Sequence, residues 1–224
     1  MDIFFRLLLS HLLADYTFQT DYIAKWKKRS FWGVLIHTTV FLIFSLILLW
    51  DKLDKVWFRF PGWFCLGLLY LLHLVEDEYR AYNVRHTHKE DSFGFFLWDQ
   101  FVHIMFIFLF SPTENFVFEP LIIILCIFIL GTHFLSVIIF YIENELYGID
   151  VSIGNFNQKY YYIVLRLGVL LLFLLPGRWF LLSFLMLPVM FYIFKRKNNL
   201  SYLGFWISSA CVYLLGFLIL VVKS

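Results

Sequence analysis

The sequence predicts an all-α membrane protein, folded as a single bundle of seven or eight transmembrane helices. The first observation is composition: of 224 residues, 62% are hydrophobic and only 15% are charged. A soluble domain of this length needs more charged residues than this to cover its core. The second observation is that the apolar residues form runs of about 20, the length of helix that crosses the hydrocarbon layer. The 29 phenylalanines also suit a surface that faces lipid.

Seven apolar segments are clear candidates for membrane spans. The segments 161–176 and 179–194 are short, and Pro176-Gly177-Arg178 between them predicts the tight turn of a helical hairpin. The full set of candidates is 31–50, 61–79, 93–111, 117–140, 161–176, 179–194 and 201–222.

The first segment, 3–24, is long enough to span but unusually polar. We expect it either to cross the membrane facing the interior of the bundle or to re-enter on the side where it began. Since no linker or internal repeat is visible, we expect one domain over residues 1–224. Its half at 1–111 carries the polar motifs, and its half at 112–224 is a more divergent helical region.

Basic residues orient the predicted spans, because loops rich in Lys and Arg stay in the cytoplasm. The loop at 112–116 has no Lys or Arg, as an outer loop should. The sequence therefore predicts a multi-pass protein of the bacterial cytoplasmic membrane, with the loop at 25–30 inside and the C-terminus outside. The residues that mark the first cytoplasmic loop are Lys25, Lys27, Lys28 and Arg29.

Charge and cysteine usage exclude two classes of protein. The net charge of +2 is small, and no basic stripe interleaved with aromatic residues predicts a nucleic-acid partner. Cys65, Cys126 and Cys211 lie one each in separate apolar segments, so a zinc–thiolate site is not expected. The expected partners are membrane lipids, while a partner protein and a homo-oligomer are both left open.

Ionisable residues inside the spans indicate a functional site, because charge in the membrane interior is costly. Several of them recur at a spacing of four, which places each set on one face of its helix. His37 and His133 stand alone in their segments. The sets at a spacing of four are His11, Asp15 and Gln19, then His73 and Asp77, then Asp99 and His103 in the reverse order.

The depth of these residues supports one shared site. At about 1.5 Å per residue, five of them fall about 9–14 Å below the predicted cytoplasmic boundary. His103 lies about a turn deeper than Asp99, and Asp77 about a turn shallower than His73. A single polar site that opens toward the cytoplasm explains the coincidence. The five residues in this layer are Asp15, His37, His73, Asp99 and His133.

The residue types in this layer suit a metal. Neutral imidazole and carboxylate bind zinc, manganese or iron without a thiolate. We expect Asp77 and Gln19 to position water or substrate. A metal-free network of hydrogen bonds and ion pairs, or a proton or ion pathway, would use the same residue types. The predicted ligands of the divalent metal ion are His11, Asp15, His37, His73, Asp99 and His103.

The sequence contains two longer polar motifs, HLLADYTFQTD at residues 11–21 and DQFVH at residues 99–103, with His37 in the helix between them. Together they resemble a family of bacterial membrane proteins described as domain of unknown function 3307. The resemblance covers the first half of the chain. It implies a polar signature formed by His11, Asp15, Gln19, Asp21, His37, Asp99, Gln100 and His103, with His73 and Asp77 in the middle helix. It implies the membrane location and the polar site but no reaction.

Three functions compete for this site. The first is a membrane-embedded, metal-dependent hydrolase of a lipid or lipid-linked substrate, in which a metal-activated water attacks an ester or phosphoester. The second is an ion- or proton-coupled transporter, although the outer halves of the spans are too apolar for a continuous polar route. The third is a non-enzymatic partner or scaffold, in which the polar layer only fixes helix packing.

Overall fold

The computed structural model describes residues 2–87, 92–112, 117–148, 156–197 and 201–224. In these ranges the regular structure is helical apart from one short hairpin, so the all-α prediction is confirmed. Contacts divide the chain into two compact units, Met1–Cys126 and Ile127–Ser224. This boundary lies downstream of the predicted boundary between residues 111 and 112.

The first unit contains the N-terminal helices and a β-hairpin. In the hairpin, Val56 pairs with Pro61 and Trp57 with Phe60. The π-helical turn after α1 has the wider hydrogen-bonding pattern in which an amide bonds the carbonyl five residues before it. The elements are α1 Asp2–Leu12, the π-helical turn Leu13–Thr17, α2 Asp21–Lys27, α3 Phe31–Leu49, the 3₁₀ turn Trp50–Lys52, β1 Val56–Trp57, β2 Phe60–Pro61, α4 Gly62–Thr87, α5 Phe93–Phe110 and most of α6 Pro120–Ile129, whose last three residues belong to the second unit.

The second unit is helical throughout its described residues. The predicted tight turn at 176–178 contains Gly177 with a φ of +68°, a conformation that L side chains rarely adopt. Pro188 lies inside α9. The elements are the π-helical turn Leu130–Phe134, α7 Leu135–Tyr147, α8 Phe156–Leu174, the 3₁₀ turn Trp179–Leu182, α9 Ser183–Lys197 and α10 Tyr202–Lys223.

Serine residues fix the first residue of three long apolar helices. A serine at the N-cap accepts a hydrogen bond from an amide of the first turn that has no partner within the helix. The Oγ of Ser30 accepts from the amide of Trp32 at 3.2 Å, and that of Ser92 from Phe95 at 3.2 Å. Ser201 does the same for the amide of Gly204 at 3.0 Å. These helices therefore begin within a residue of the predicted positions.

Five helical segments among the described residues are long and apolar enough to cross a membrane. They indicate a membrane protein. A sixth apolar helix, Tyr161–Leu174, is shorter, and α4 carries several charges in its C-terminal half. The prediction of seven or eight spans is therefore supported for five of them. These five are Phe31–Lys52, Phe93–Phe110, Pro120–Tyr147, Trp179–Arg196 and Tyr202–Lys223.

The first polar segment does not form one helix over residues 3–24. The amide of Phe18 donates to the carbonyl of Leu13 at 2.9 Å and closes the π-helical turn. Thr20 then caps a new helix, because its Oγ1 accepts from the amide of Ile23 at 3.3 Å. The helix from Asp2 to Thr17 is about 24 Å long, which is shorter than the ~30 Å hydrocarbon layer.

Helix α3 is the central element of the first unit. It packs against α1, α2 and α4, and α5 packs against α4 and α1. Gly33 permits the closest of these contacts, since a Cβ at this position would lie 2.5 Å from backbone atoms of Trp26 and Lys27. Burial of apolar side chains on these faces is the main source of packing free energy inside the unit. The apolar core consists of Ile3, Leu7, Ala14, Phe41, Leu49, Trp57, Cys65, Leu66, Leu69 and Ile107.

Arg6 joins three segments at the end of the first unit where α1 begins. Its guanidinium forms a bidentate pair with Glu119, with N–O distances of 2.6 and 2.8 Å. It also donates to the carbonyl of Leu48 and to Asp51, both at 2.7 Å. Bidentate pairs of this kind fix geometry as well as charge. Arg6 thus connects α1 with the end of α3 and with the residue that precedes α6.

Arg166 is buried in the second unit, and the acceptors it uses are uncharged. Its Nε donates to the Oγ of Ser208 at 2.8 Å. Its Nη1 donates to the Oγ of Ser136 at 2.7 Å and to the carbonyl of Thr132 at 3.1 Å. Thr132 belongs to the π-helical turn of this unit. The buried cation thus links α8, α10 and the π-helical turn.

Glu143, near the C-terminal end of α7, is completely buried. Its carboxylate accepts from the amide of Ser201 at 3.1 Å and from the Oγ of Ser201 at 2.6 Å. A Cβ on Gly204 would collide with this carboxylate. Glu143 therefore holds the N-terminus of α10 against α7.

Replacing Glu143 should destabilise the second unit. In the Glu143→Ala variant the buried amide and hydroxyl of Ser201 lose their acceptor, at a cost of about 1–3 kcal/mol. The expected result is a lower Tm in detergent, measured by intrinsic tryptophan fluorescence. Glu143→Gln retains one acceptor oxygen and should lose less. An unchanged Tm in Glu143→Ala would show that the contact contributes nothing to stability.

Candidate metal centre

Eight polar side chains of the first unit form one buried cluster. Each is at most 8% exposed, and most are at most 3% exposed. They come from the end of α1, the π-helical turn that follows it, α3, α4 and α5. We refer to this set as the polar cluster, and it consists of His11, Asp15, His37, His73, Asp77, Asp99, Gln100 and His103.

The π-helical turn after α1 positions the first two members. His11 lies in the last turn of α1 and Asp15 lies within the π-helical turn. The Nδ1 of His11 lies 3.5 Å from the Oδ1 of Asp15. Turns of this kind occur frequently at functional sites, where the extra residue redirects a side chain.

Helices α3 and α4 add three residues that surround the same point. The Nε2 of His37 lies 3.4 Å from the Oδ1 of Asp15 and 3.3 Å from the Oδ2 of Asp77. The Nε2 of His73 lies 3.3 Å from the Oδ2 of Asp77 and 3.9 Å from the Oδ1 of Asp15. Two imidazole nitrogens and two carboxylate oxygens thus alternate around a closed ring.

These spacings suit a coordination shell. Zinc binds imidazole and carboxylate at about 2.0–2.2 Å, and tetrahedral ligands at that radius lie about 3.4 Å from one another. Three of the four distances around the ring are within 0.1 Å of that separation, at 3.3, 3.3 and 3.4 Å. The neighbouring atoms of the ring therefore lie at separations that are compatible with ligands of a divalent ion.

Helix α5 contributes a second pair on the same side of the unit. Asp99 and His103 lie one turn apart, and the Nδ1 of His103 is 3.9 Å from the Oδ1 of Asp99. The rings of His73 and His103 are 4.3 Å apart between centroids. Ligand atoms of Asp77, Asp99 and His103 all lie within 4.8 Å of one another. Asp77 thus belongs to both groups of possible ligands.

Cations hold the outer oxygens of two cluster carboxylates. The Nζ of Lys27 pairs with the Oδ1 of Asp77, and the Nη1 of Arg80 pairs with the Oδ2 of Asp99 at 2.7 Å. In each carboxylate the other oxygen makes no hydrogen bond. Partners of this kind orient ligands around a metal and leave the inner lone pairs available.

Gln100 connects the remaining members of the polar cluster. Its Oε1 accepts from the hydroxyl of Tyr16 at 2.5 Å and faces the Nε2 of His11 at 3.2 Å. Its Nε2 donates to Asp99 at 3.0 Å and to Asp15 at 3.4 Å. Since the two carboxylates require a donor, the amide orientation is fixed, and the amide oxygen must accept from His11. The Nε2 of His11 therefore donates to Gln100, and in the neutral imidazole the lone pair is on Nδ1.

The inner atoms of the cluster are buried without a hydrogen-bond partner. Most buried polar atoms in proteins do have one, so a convergent group of unpaired atoms needs an explanation such as an ion. A small cavity beside His73 and His103 is otherwise lined by apolar residues, and Phe41 stacks on His73. The unpaired atoms are the Nδ1 of His11, the Oδ1 of Asp15, the Nε2 of His37 and of His73, the Oδ2 of Asp77, the Oδ1 of Asp99 and both ring nitrogens of His103.

All six predicted ligands belong to the polar cluster. Of the two residues predicted to position water or substrate, Asp77 belongs to the cluster and Gln19 does not. Asp77 also lies in the ring, with its Oδ2 3.3 Å from the Nε2 of both His37 and His73. Gln19 follows the end of the π-helical turn, so it does not continue the helical face of His11 and Asp15, and its Oε1 makes no hydrogen bond. His133 belongs to the second unit, where its Nδ1 lies 3.0 Å from the hydroxyl of Thr132.

Four residues gain a role that the spacing argument missed. Tyr16, Lys27 and Arg80 contact cluster members, and Gln100 was indicated only by the family resemblance. The position of Arg80, three residues after Asp77 on one helix face, could have identified it. No local signal identifies Lys27, because the close approach of α2 to α3 at Gly33 brings it to the cluster.

Removing the Lys27 cation should destabilise the first unit. In Lys27→Met the buried carboxylate of Asp77 loses its charged partner, and breaking a buried pair costs about 3–5 kcal/mol. We expect a clear fall in Tm in detergent, measured by tryptophan fluorescence. Lys25, which is exposed on the same helix, supplies the control variant Lys25→Met. Equal Tm values for the two variants would contradict the role of Lys27.

Comparison with known proteins identifies the first unit. A family model described as protein of unknown function DUF3307 matches residues 3–124. No curated protein and no solved structure gives a significant match to the chain. The matched range covers more than half of the chain and contains every residue of the polar cluster. The chain therefore belongs to the DUF3307 family, as the motifs HLLADYTFQTD and DQFVH predict.

Proposed function

We propose that the polar cluster binds a divalent metal ion and that the protein is a membrane-embedded, metal-dependent hydrolase. The observation that carries the proposal is the convergence of buried, unpaired imidazole and carboxylate atoms at spacings close to those of metal ligands. Zinc, manganese and iron all accept such ligands. A bound divalent ion would also offset the carboxylate charge that is otherwise costly in an apolar interior.

Four residues are the proposed ligands of this ion, at what we call the first position. Lys27 and Gln100 would support them, since they hold the outer oxygens of Asp77 and Asp15. Four protein ligands leave positions for water on six-coordinate manganese or iron, and zinc can expand to five. The proposed ligands are Asp15, His37, His73 and Asp77.

His11 is the proposed general base. Its Nε2 donates a hydrogen bond to Gln100. Its Nδ1 lies 3.5 Å from the Oδ1 of Asp15, which is a member of the ligand ring. A divalent ion lowers the pKa of bound water, and a neighbouring imidazole of this tautomer can accept the released proton. The water could then attack the carbonyl or phosphorus of an ester, with the leaving group protonated in turn. Gln100 thereby acts as a positioning residue for His11.

The surroundings of the cluster support a lipid or lipid-linked substrate. The helices that carry it expose large apolar side chains, such as Trp32, Ile47 and Trp98. Loss of water around the metal strengthens its electrostatic effect on a bound substrate. We place the protein in the bacterial cytoplasmic membrane, with the polar cluster nearer the cytoplasmic face. In this arrangement the five long helices, α4 and α8 give seven membrane helices. The short helix α1 is the eighth if it is counted as a span.

Metal content tests the proposal directly. Protein purified in detergent without a His tag or chelator should contain at least one zinc, manganese or iron ion per chain, measured by inductively coupled plasma mass spectrometry. His37→Ala removes a ligand and should lower the content at the first position more than tenfold. The exposed His86 supplies the control His86→Ala, which should retain metal. A folded wild-type protein without metal, even after divalent ions are added, would overturn the proposal.

The hydrolase assignment has its own test. With metal loaded, His11→Asn should retain the ion and lose turnover of lipid esters or phosphoesters by about 10²–10⁴-fold, the usual contribution of a general base. Metal binding without turnover of any such substrate, together with ion uptake into liposomes that depends on Asp99, would favour the transporter instead.

The orientation can be tested with single cysteines. Lys25 and Lys55 are exposed and lie before and after α3. In a background without native cysteines, Lys55→Cys should react with an impermeant maleimide in cells whose outer membrane has been permeabilised. Lys25→Cys should react only after the inner membrane is opened. Reaction of both before that step would contradict the proposed orientation.

A further inference from the structure

The four ligands at the first position do not use all the unpaired atoms. Asp99 is 1% exposed and His103 is 2% exposed. The Oδ1 of Asp99 and both ring nitrogens of His103 make no hydrogen bond. An imidazole with two unpaired nitrogens in an apolar interior loses hydration without compensation, so the arrangement favours a further ligand.

The free atoms of α5 lie next to the ring. Ligand atoms of Asp77, Asp99 and His103 are all within 4.8 Å of one another, as are those of His37, His73 and Asp77. Asp77 is the member common to both groups. A carboxylate that belongs to two adjacent ligand groups can bridge two cations, which in two-metal sites lie about 3.5–4 Å apart.

From this geometry we infer a second divalent-cation position at Asp99 and His103, bridged to the first by Asp77. The inference rests on the proposed function, because it places a second ion beside the first. Arg80 and Gln100 hold the outer oxygen of Asp99, so its Oδ1 is directed inward. At both positions, a cation or an amide therefore holds the outer oxygen of the carboxylate ligand and orients its other oxygen.

The two positions differ in how many protein ligands they have. The proposed ligands of the first are Asp15, His37, His73 and Asp77, which neighbour one another around the ring, whereas the second has only Asp99, His103 and the shared Asp77. The second ion therefore keeps more open coordination positions. These positions are where a substrate oxygen would bind.

The charge balance indicates the chemical class of that substrate. Lys27 and Arg80 already pair with Asp77 and Asp99. Two divalent cations would then outweigh the remaining carboxylate charge of Asp15. An anionic oxygen ligand would reduce this excess of positive charge, and two-metal sites commonly clamp a phosphoryl group in this way. The substrate class that fits is a phosphate ester carried on a lipid.

The experiment counts ions with and without the second position. Wild-type protein loaded with Mn²⁺ and passed through a desalting column should retain two ions per chain and give the multiline electron paramagnetic resonance spectrum of an exchange-coupled pair. Asp99→Asn and His103→Ala should each retain one ion and give the signal of isolated Mn²⁺. His86→Ala should behave as wild type. Adding inorganic phosphate should alter the coupled spectrum of the wild type.

The other outcomes show whether the metal site, the second position or the substrate class is wrong. One uncoupled ion in wild type overturns the second position and leaves the proposed metal site intact, whereas no ion overturns the proposed metal site itself. If folded Asp99→Asn and His103→Ala both lose all metal, the two residues belong to a single site and the inference is wrong. A coupled spectrum that phosphate does not change overturns the substrate class.

Discussion

Charge buried among apolar helices has to be paired, and the first unit is organised around this requirement. Asp77 is completely buried, with one oxygen on Lys27 and the other facing His37 and His73. Because an unpaired carboxylate in such an environment costs several kcal/mol, the elements that carry its partners are fixed in position. Helix α2 is the clearest case, since its approach to α3 at Gly33 delivers the Lys27 cation. Packing and electrostatics therefore specify the same arrangement of helices.

The same requirement explains why the polar cluster is divided into outer and inner atoms. The outer atoms form ordinary hydrogen bonds and ion pairs with Lys27, Arg80, Gln100 and Tyr16. The inner atoms make no hydrogen bond within the protein and face only one another, at distances of 3.3–3.9 Å. A network built only for packing would satisfy its inner atoms as well, because partly satisfied networks destabilise a core. This asymmetry is the reason for favouring an ion over a purely structural network.

In the second unit, two buried charged side chains form hydrogen bonds with uncharged groups of the protein. Arg166 uses serine hydroxyls and the carbonyl of Thr132, and Glu143 accepts from Ser201. Both side chains are buried and connect helices that are distant in sequence. Among the described residues of this unit, no group of His, Cys, Asp and Glu forms a possible metal site. The family match ends at residue 124, so the family signature and the polar cluster lie in the same unit.

The sequence alone determined the helical class, five apolar segments long enough to cross a membrane, the family and six of the residues that meet in the polar cluster. These follow from local signals: apolar runs, serine caps such as Ser30 and Ser92, and spacings of four along a helix. Tertiary structure decided the end of the first helix at Thr17 and the position of Asp77 between His37 and His73. It also brought Lys27 and Gln100 into the site. The physical reason is that a side chain's partners across helices depend on how the backbones approach, and no periodicity within a single segment records that distance.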